Sequence, residues 1–330
     1  MATKKQLMKA ISVSEFGDPE VLKLKKDLPV PDPKENEVLI KVHACGVNAM
    51  DTYIRAGTYP EAQVLPYIPG TDVAGEIQKV GKHVDAFKKG DRVFTLGTVT
   101  GGYAEFTVAA ADTVFPLSAK LNFKQGAAIG VPYFTAYHAL FQREVIKPGE
   151  TLLIHGASGG VGMAACQIAR AHGMTVLGTA GSEAGMNQIL KNGAHCVFNH
   201  RKRAYLYQIK EATGTQNIDV ILEMLANVNL SEDLKLLSKG GRVMIVGCRG
   251  LIEINPNDMM LKESIIRGIS FISSSKEEMN ACAAAILAGI EAGWLKPAVG
   301  HEYPLAKAAE AHKEMAEGPG SLGKRVIVIC

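Results

Sequence analysis

The stretch His155–Gly162, which reads H-G-A-S-G-G-V-G, decides the fold of this chain. The residues that lead into it, Thr151–His155, form an apolar run of the kind that makes a parallel strand buried on both faces. The residues that follow, Val161–His172, place apolar side chains at helical spacing, and Gly173 is suited to end that helix. A strand, a glycine-rich turn and a helix in this order predict a βα unit that binds a phosphate group at the helix N-terminus.

The four glycines of this turn have separate expected roles. Gly156 permits the tight turn, Gly159 and Gly160 let the backbone approach a pyrophosphate, and Gly162 allows close packing of the helix. The N-terminus of the helix favours the negative charge of the ligand. Glycines alone are weak evidence, so the prediction of a dinucleotide site depends on the βα units that follow.

The region after the turn alternates apolar strands with helical segments. The predicted strands are Thr151–His155, Met174–Thr179, Cys196–Phe198, Ile218–Glu223, Arg242–Gly247 and Gly268–Ile272. The predicted helices are Val161–His172, Glu183–Lys191, Ala204–Ala212 and Leu230–Leu237. Six strands that alternate with helices predict an α/β fold with a doubly wound, six-stranded parallel Rossmann sheet.

The two flanks of this region have a different texture. The first third consists of short β-like runs broken by Pro and Gly, and the P-V-P-D-P stretch Pro29–Pro33 excludes helix. An Ala-rich segment with helical spacing, Phe123–Phe141, precedes the Rossmann region, and a helix, Lys276–Gly293, follows it before further β-like runs. We therefore predict a mostly antiparallel β domain made of residues 1–125 and 273–330, with the Rossmann domain, 126–272, inserted and the cofactor in the cleft between them.

Composition excludes several classes of protein. Of the 330 residues 47% are hydrophobic and 21% charged, with a formal net charge of +3, which indicates a globular protein without a polyanionic partner. No apolar run is long enough to span a bilayer, and no secretory signal is recognisable, so a cytoplasmic protein without membrane contact is expected. The six cysteines lie at wide intervals without metal-ligand spacing, which predicts reduced thiols and no structural zinc.

The end of the second strand indicates the cofactor. NAD-binding Rossmann units usually carry an acidic residue there, whereas this chain has G-T-A-G-S at Gly178–Ser182. The small, neutral corner leaves room for a 2′-phosphate, and the basic cluster His200–Arg203 after the third strand could supply its counter-charge. The sequence therefore favours NADP(H) over NAD(H).

Several motifs together resemble one known family. They are Gly149–Arg170, V-H-A-C-G-V-N at Val42–Asn48, D-T-Y-I-R-A-G-T-Y-P at Asp51–Pro60, P-G-T-D-V-A-G at Pro69–Gly75, K-K-G-D-R-V-F at Lys88–Phe94, N-G-A-H at Asn192–His195, E-M-L-A-N-V-N-L at Glu223–Leu230 and G-G-R-V at Gly240–Val243. The chain is similar over essentially its whole length to the quinone oxidoreductase/zeta-crystallin family, a zinc-free branch of the medium-chain dehydrogenase/reductase superfamily. The resemblance implies that the β domain is a GroES-like catalytic domain.

The same resemblance makes the absence of metal ligands informative. Zinc alcohol dehydrogenases of the superfamily place a Cys ligand soon after the glycine that matches Gly46, and a His-Glu pair after the one that matches Gly70. This chain has Asn48 and Thr71-Asp72 there, and amide and hydroxyl groups are poor zinc ligands. Without a Lewis acid we do not expect alcohol oxidation. We expect instead the NADPH-dependent reduction of electron-poor acceptors.

The resemblance also implies site residues. The candidate catalytic residues are Tyr53, Tyr59, Asn48 and Thr135. The candidate cofactor contacts are Tyr53, Ser158, Gly159, Gly160, Val161, Gly181, His200, Asn229, Val246, Gly247, Cys248, Arg249, Ile269, Ser270 and Phe271, where Cys248 takes the place of a small hydroxyl residue common in relatives. No residue is assigned to a metal.

The expected activity is NADPH-dependent reduction of orthoquinones and related acceptors, by hydride transfer or by one-electron steps. The alternative within enzymes is reduction of alkenals or enones, because the same cofactor geometry serves both. The alternative of another class is a lens crystallin or an AU-rich mRNA-binding protein, which the resemblance suggests and no motif in the sequence supports. The apolar run Ile269–Ile272 is suited to pairing at a two-fold axis, so a homodimer or homotetramer is expected.

Overall fold

The chain folds into two compact units. The computed structural model describes residues 6–60, 63–214, 218–318 and 320–329. One unit consists of Met1–Val131 with Pro297–Cys330, and the other of Pro132–Lys296. The second unit is thus continuous in sequence, and the first is built from both ends of the chain.

The first unit is dominated by β-structure. Its strands are β1 (Leu7–Ser12), β2 (Lys23–Pro29), β3 (Glu37–Gly46), β4 (Asp72–Val80), β5 (Arg92–Thr95), β6 (Phe106–Ala110), β7 (Val114–Pro116), β14 (Val299–Pro304) and β15 (Lys324–Val328), and its helices are α1 (Ala49–Ala56), α2 (Phe123–Gly126) and α10 (Ala308–Glu317). A seven-stranded sheet has the order β14-β15-β3-β4-β5-β7, with β6 paired to β3, and every pair in it is antiparallel except β14 with β15. Strands β1 and β2 form a separate antiparallel pair. The predicted mostly antiparallel domain is confirmed.

The second unit is a doubly wound α/β sheet. Its strands are β8 (Thr151–Ile154), β9 (Thr175–Ala180), β10 (Cys196–Asn199), β11 (Ile218–Glu223), β12 (Leu237–Ile245) and β13 (Ile265–Gly268). Its helices are α3 (Gly130–Tyr137, which begins in the first unit), α4 (Gly160–Ala171), α5 (Glu183–Lys191), α6 (Tyr205–Thr213), α7 (Ala226–Leu236), α8 (Pro256–Met260) and α9 (Lys276–Ala292). The strands are all parallel in the order β10-β9-β8-β11-β12-β13, which confirms the predicted six-stranded Rossmann sheet.

The order of the strands reverses between β8 and β11. The chain runs outward from β8 through β9 to β10, then returns to the other side of β8 and continues outward from β11. Because the strands are parallel, their carboxyl ends meet at one edge of the sheet, and ligands bind at such a switch point. The residues of β8 are all buried, as expected of a central parallel strand.

The sixth strand lies three to four residues before the predicted Gly268–Ile272. Ile265–Gly268 pairs with Arg242–Ile245, and a last bond, from Ile269 N to Ile245 O at 2.8 Å, closes the ladder. The residues that follow, Phe271–Ser273, form a 3-10 turn, and Ser273 Oγ donates to Ser270 O at 2.7 Å. The prediction of Ile269–Ile272 as the edge strand was therefore wrong, because serine side chains favour a turn where the apolar residues suggested extension.

Two helical predictions also need correction. Phe123–Phe141 is not one helix: α2 and α3 are separate, and α3 continues as a π-helical turn, His138–Gln142. Pro132 lacks an N–H, and a Cβ at Gly130 would lie 2.3 Å from Asp72 Oδ1, so this segment adapts to close neighbours. The sequence pattern also misses helix α10 and places its residues among β-like runs. The reason is that the buried face of this helix consists of Ala308, Ala311 and His312 and shows no pattern of large apolar residues.

Helix α9 belongs with the Rossmann unit, whereas the sequence placed it after the boundary at 272/273. Arg143 forms a bidentate ion pair with Glu278, with Nη1–Oε1 at 2.5 Å and Nη2–Oε2 at 3.0 Å, and Gln142 Nε2 donates to Glu278 O at 2.6 Å. Further along, Gln167 Nε2 donates to Lys296 O at 2.8 Å. These contacts connect distant positions of the chain, so composition alone could not reveal them.

Candidate functional site

The glycine-rich turn follows β8 with the geometry that a dinucleotide requires. Gly156 has φ +59, in the left-handed region where a side chain is strained. Gly159 is the N-cap residue of α4, with extended backbone and no side chain to cover the helix N-terminus. A Cβ at Gly162 would lie 2.5 Å from Ala157 Cα, so only glycine lets the helix approach the turn this closely. The turn therefore exposes backbone N–H groups at a helix N-terminus, a fit for pyrophosphate.

The remaining predicted cofactor residues of this unit follow the carboxyl ends of the strands. Ser158 lies in the turn after β8, Gly181 follows β9, His200 follows β10, Asn229 lies on α7 after β11, Val246–Arg249 follow β12, and Ile269–Phe271 follow β13. Parallel strands bring these positions to the same edge of the sheet. Their contact with a cofactor stays a prediction.

The corner after β9 is enclosed by two basic side chains. A Cβ placed on Gly181 would lie 2.9 Å from Arg201 Nε and 3.0 Å from His200 Nε2. The backbone N–H of Arg201 donates to Asn199 Oδ1 at 3.0 Å, which fixes the loop independently of the arginine side chain. The basic cluster that the sequence indicated thus contributes Arg201 and His200 to this corner, and glycine at position 181 lets both side chains approach the backbone closely.

A buried group of charges lies below this edge of the sheet. His155 Nε2 is 2.9 Å from Asp233 Oδ1 and 3.7 Å from Glu223 Oε2, and all three side chains are buried. Burial lowers the pKa of His155, but Asp233 and Glu223 outweigh it and raise the pKa above its ordinary value. Burial raises the pKa of Glu223 to about 7, and the nearby Asp233 adds to that effect while the His155 charge opposes it. The atoms of these three side chains that could bind a metal ion all lie within 4.8 Å of one another. Hydrogen bonding and charge between the side chains themselves account for this proximity.

Glu223 connects several of the predicted cofactor loops. Its carboxylate accepts hydrogen bonds from Asn229 Nδ2, at 3.1 and 3.2 Å, and from the N–H of Leu225. Its carbonyl oxygen accepts the N–H of Val246 at 2.8 Å. Sequence reasoning assigned Glu223 no role in the site, because a buried carboxylate with this many donors is recognisable only when the strand ends are brought together.

The first unit holds a buried polar network at the positions where zinc dehydrogenases have their ligands. Lys324 Nζ donates to Asp72 Oδ2 at 2.9 Å and also to Asn48 Oδ1, and Asn48 Nδ2 donates to Asp72 Oδ2 at 3.0 Å. Asn48, Asp72 and Lys324 are 6%, 1% and 4% exposed. Sequence reasoning identified Asn48 and missed Lys324, which is 276 positions away on β15.

These residues do not fit a zinc ion. Asn48 Oδ1 and the Asp72 carboxylate, the atoms that could face a cation, are already bound by the ammonium group of Lys324. A divalent ion at this place would lie beside a buried positive charge and would lack thiolate and imidazole ligands. The structure therefore gives the zinc-free prediction a physical basis.

Helix α1, which carries Tyr53, is supported by a second buried network. Asn48 N donates to Asp51 Oδ2 at 2.8 Å, which forms part of a capping box at the start of the helix. Burial raises the pKa of Asp51 to about 7. The Tyr103 hydroxyl lies 3.1 Å from His312 Nε2, and burial, with a contribution from the charge of Arg55, lowers the pKa of His312 to about 3.

His312 should make the stability of the protein decrease in acid. Its folded pKa is depressed, so its contribution is complete above the unfolded pKa of about 6.5 and is lost as pH falls towards 3. Relative to His312→Gln, wild-type stability should decrease by about 2 kcal/mol between pH 7.5 and pH 5. Urea unfolding of both proteins at the two pH values measures this difference, and parallel pH profiles would contradict the prediction.

The other predicted catalytic residues are placed as follows. Tyr53 lies on α1 and Tyr59 just after it, both partly buried, and Thr135 is buried on α3 in the other unit. A cavity of about 740 Å³ in the first unit is lined by Asp51, Ile54, Tyr67, Thr71 and Thr98, among others. The described residues that line this cavity do not include Asn48, Tyr53 or Tyr59. They do include Thr71, whose Oγ1 lies 3.5 Å from Asn48 Nδ2.

Comparison with known proteins places the chain among oxidoreductases. Residues 34–119 match the family described as alcohol dehydrogenase GroES-like domain, and residues 160–288 match the family described as zinc-binding dehydrogenase. The chain is 60% identical to the quinone oxidoreductase of Homo sapiens over 329 residues, which is 100% of both chains. It is 32% identical to quinone oxidoreductase 1 of Escherichia coli over 96% of this chain and 98% of that protein.

Solved structures agree with this relationship. The structure of Escherichia coli quinone oxidoreductase complexed with NADPH has a TM-score of 0.88 and 32% identity, and covers 97% of this chain and 99% of that one. A mycobacterial protein complexed with NADPH has a TM-score of 0.88 and 29% identity over 97% of this chain and 99% of that one. Within the described residues, none of the helices combines the length and apolar character needed to cross a membrane.

Proposed function

The chain belongs to the quinone oxidoreductase family of the medium-chain dehydrogenases/reductases, and on this premise we propose that it is an NADPH-dependent quinone reductase. The proposed substrates are orthoquinones and related electron-poor acceptors. The observation that carries the proposal is the pairing of a glycine-lined dinucleotide turn with a neutral corner at Gly181, against which Arg201 and His200 lie. A neutral corner with basic neighbours suits a 2′-phosphate, which NADH lacks.

The residues of the cofactor half bind and orient the dinucleotide. The N–H groups at the start of α4 would hold the pyrophosphate, and Arg201 would pair with the 2′-phosphate. Glu223 would hold Asn229 and the loop after β12 in place. NADPH, when bound, supplies the reducing equivalent.

The acceptor half supplies hydrogen bonds without a metal. A quinone stabilises incoming negative charge on its own oxygen atoms. It therefore does not require the Lewis acid that stabilises an alkoxide while an alcohol gives up its hydride. The cavity in the first unit offers apolar walls with a few polar groups, Thr71 among them, which suits a flat aromatic acceptor. Enones stabilise charge in the same way and remain the second candidate acceptors.

Steady-state turnover tests the proposed function. We expect 9,10-phenanthrenequinone to be reduced with NADPH at least about tenfold more efficiently than with NADH, and more efficiently than a simple enone or alkenal. Chelation with EDTA and dialysis should leave the rate unchanged, because the residues at positions 48, 71 and 72 do not fit zinc. Loss of activity on chelation with recovery on added zinc, or primary alcohol oxidation at a comparable rate, would contradict the proposal.

Four finer expectations stay as proposals. A homodimer or homotetramer is proposed, and sedimentation velocity would measure its size. Binding of AU-rich mRNA would be tested by competition with NADPH, since a dinucleotide cleft is the surface that the sequence indicates. A cytoplasmic location is tested by cell fractionation, and a lens role by the abundance of the protein in tissue.

A further inference from the structure

Asn48, Asp72 and Lys324 form a closed set of buried hydrogen bonds. Asp72 Oδ2 accepts from Lys324 Nζ and from Asn48 Nδ2, while Asp72 Oδ1 accepts the N–H of Val131 at 3.0 Å. Every oxygen of the carboxylate therefore has a donor. A buried ion pair of this kind persists only when its groups are fully hydrogen-bonded.

The chemistry of these groups fixes the orientation of the Asn48 amide. An ammonium group only donates hydrogen bonds and a carboxylate only accepts them. The Asn48 oxygen must therefore face Lys324, and its NH₂ group must face Asp72. The ammonium group and the Asp72 carboxylate together hold the amide in this orientation.

This orientation determines what the site can offer an acceptor. The Asn48 oxygen is occupied by Lys324, and the second N–H of its amide points towards Thr71 Oγ1 at 3.5 Å. Because the Thr71 oxygen accepts from Asn48, its O–H is free to donate into the cavity that Thr71 lines. The acceptor then meets the Thr71 hydroxyl as a hydrogen-bond donor.

The space for Lys324 is built into the strand beside it. A Cβ at Gly46 would lie 2.5 Å from Lys324 Cε and 2.3 Å from Ala127 O. Any larger residue at position 46 would displace the lysine side chain or the backbone that contacts it. The close approach of β3 and β15 therefore accommodates the buried ammonium group.

We propose that Lys324 is a positioning residue for acceptor reduction: its ammonium group orients the Asn48 amide to donate to Thr71, which leaves the Thr71 hydroxyl to donate to the acceptor oxygen. The inference rests on the proposed function and adds a residue that positions the hydrogen-bond donor of the acceptor site. A hydrogen bond donated to the acceptor stabilises the negative charge that develops on a quinone oxygen.

A double-mutant cycle tests this role. Lys324→Met leaves Asp72 buried without its partner and can unfold the protein, so the decisive variant is Lys324→Met/Asp72→Asn, which removes both charges. With Asn48 present we expect this double variant to lower kcat for 9,10-phenanthrenequinone by at least about tenfold, because the Asn48 amide loses its fixed orientation. In an Asn48→Ala background the same double change should alter kcat by less than about twofold, because the group on which Lys324 acts is already gone.

The controls separate this role from a structural one. Lys124→Met removes an exposed lysine paired to Glu302 in the same unit and should leave kcat unchanged. NADPH affinity and the melting temperature, measured for each variant, should not follow the loss of kcat. Equal losses of kcat in both backgrounds, or retention of kcat in Lys324→Met/Asp72→Asn, would overturn the proposal.

The experiment also distinguishes failure of the inference from failure of the proposed function. Turnover of the quinone by the wild-type protein reports on the function alone. The ratio of the losses in the two backgrounds reports on Lys324 and is measured with whichever acceptor, quinone or enone, the wild-type protein reduces.

Discussion

Replacement of Arg201 by Glu is expected to raise the Kd for NADPH by about 100-fold and to leave the Kd for NADH within about threefold of wild type. Arg201 Nε and His200 Nε2 lie where a Cβ of Gly181 would almost touch them, so the guanidinium group lies directly at this corner. A phosphate there gains a charge-assisted hydrogen bond from arginine and meets repulsion from glutamate. Cofactor titration by quenching of protein fluorescence measures both constants.

A matched control tests whether the effect is local. Arg203→Glu makes the same change of charge two residues further along the same basic cluster, and its side chain is not among the nearest atoms to position 181. Its effect on NADPH should be less than about fivefold, because exposed charges at longer range are screened by salt. Equal losses of NADPH affinity in the two variants would contradict the prediction, and so would equal losses of NADPH and NADH affinity in Arg201→Glu. Either result would mean that the basic cluster acts only through its overall charge and that Arg201 does not contact the 2′-phosphate.

The α/β half was well predicted because its signals are local. Helix α5 spans Glu183–Lys191 as predicted, since Ser182 caps its start with a bond from Gly185 N at 3.1 Å and Asn192-Gly193 ends it. Strand β11 spans Ile218–Glu223 as predicted, since an apolar run bounded by polar residues has few alternatives. Each of these elements depends on residues within a few positions of one another.

Two of the errors arose where distant residues decide the structure. Helix α10 buries alanines and a histidine, and its place depends on contact with elements such as α1. Helix α9 joins the Rossmann unit through the pair of Arg143 and Glu278, which are 135 positions apart. Hydrophobic periodicity carries no information about such pairs.

The candidate site shows the same division. The glycine turn and the small corner at Gly181 could be identified from sequence, because glycine at a fixed place in a βα unit has a direct geometric consequence. Lys324 could not, because lysine is normally exposed and its partner Asn48 lies at the other end of the chain. The nearest signal in the sequence was the mismatch at the zinc positions, which indicated that zinc ligands are missing there.

Replacement of Gly159 by Thr should abolish tight NADPH binding while leaving the fold intact. The backbone of Gly159 has φ −81 and ψ 175, which threonine adopts readily, and a Cβ there would meet only Gly156 O at 3.4 Å. Threonine is also a favourable N-cap residue, so the free energy of unfolding should change by less than about 1 kcal/mol. Its side chain would stand where the pyrophosphate must approach the backbone, and the Kd for NADPH should rise by about 100-fold.

For a second glycine of the same turn, Gly162, substitution should lower the stability of the fold itself. Gly162→Ala places a Cβ 2.5 Å from Ala157 Cα, so we expect a loss of about 1–3 kcal/mol in unfolding free energy even without cofactor. Gly268→Ala, at the end of β13 with no atom within 4 Å of its Cβ, should change neither stability nor affinity. Thermal unfolding with and without NADPH compares the three variants: Gly159→Thr should lose the stabilisation by cofactor, and Gly162→Ala should melt lower in both conditions. If Gly159→Thr bound NADPH as the wild type does, the pyrophosphate would not lie at the start of α4, and the cofactor half of the site would have to be assigned elsewhere.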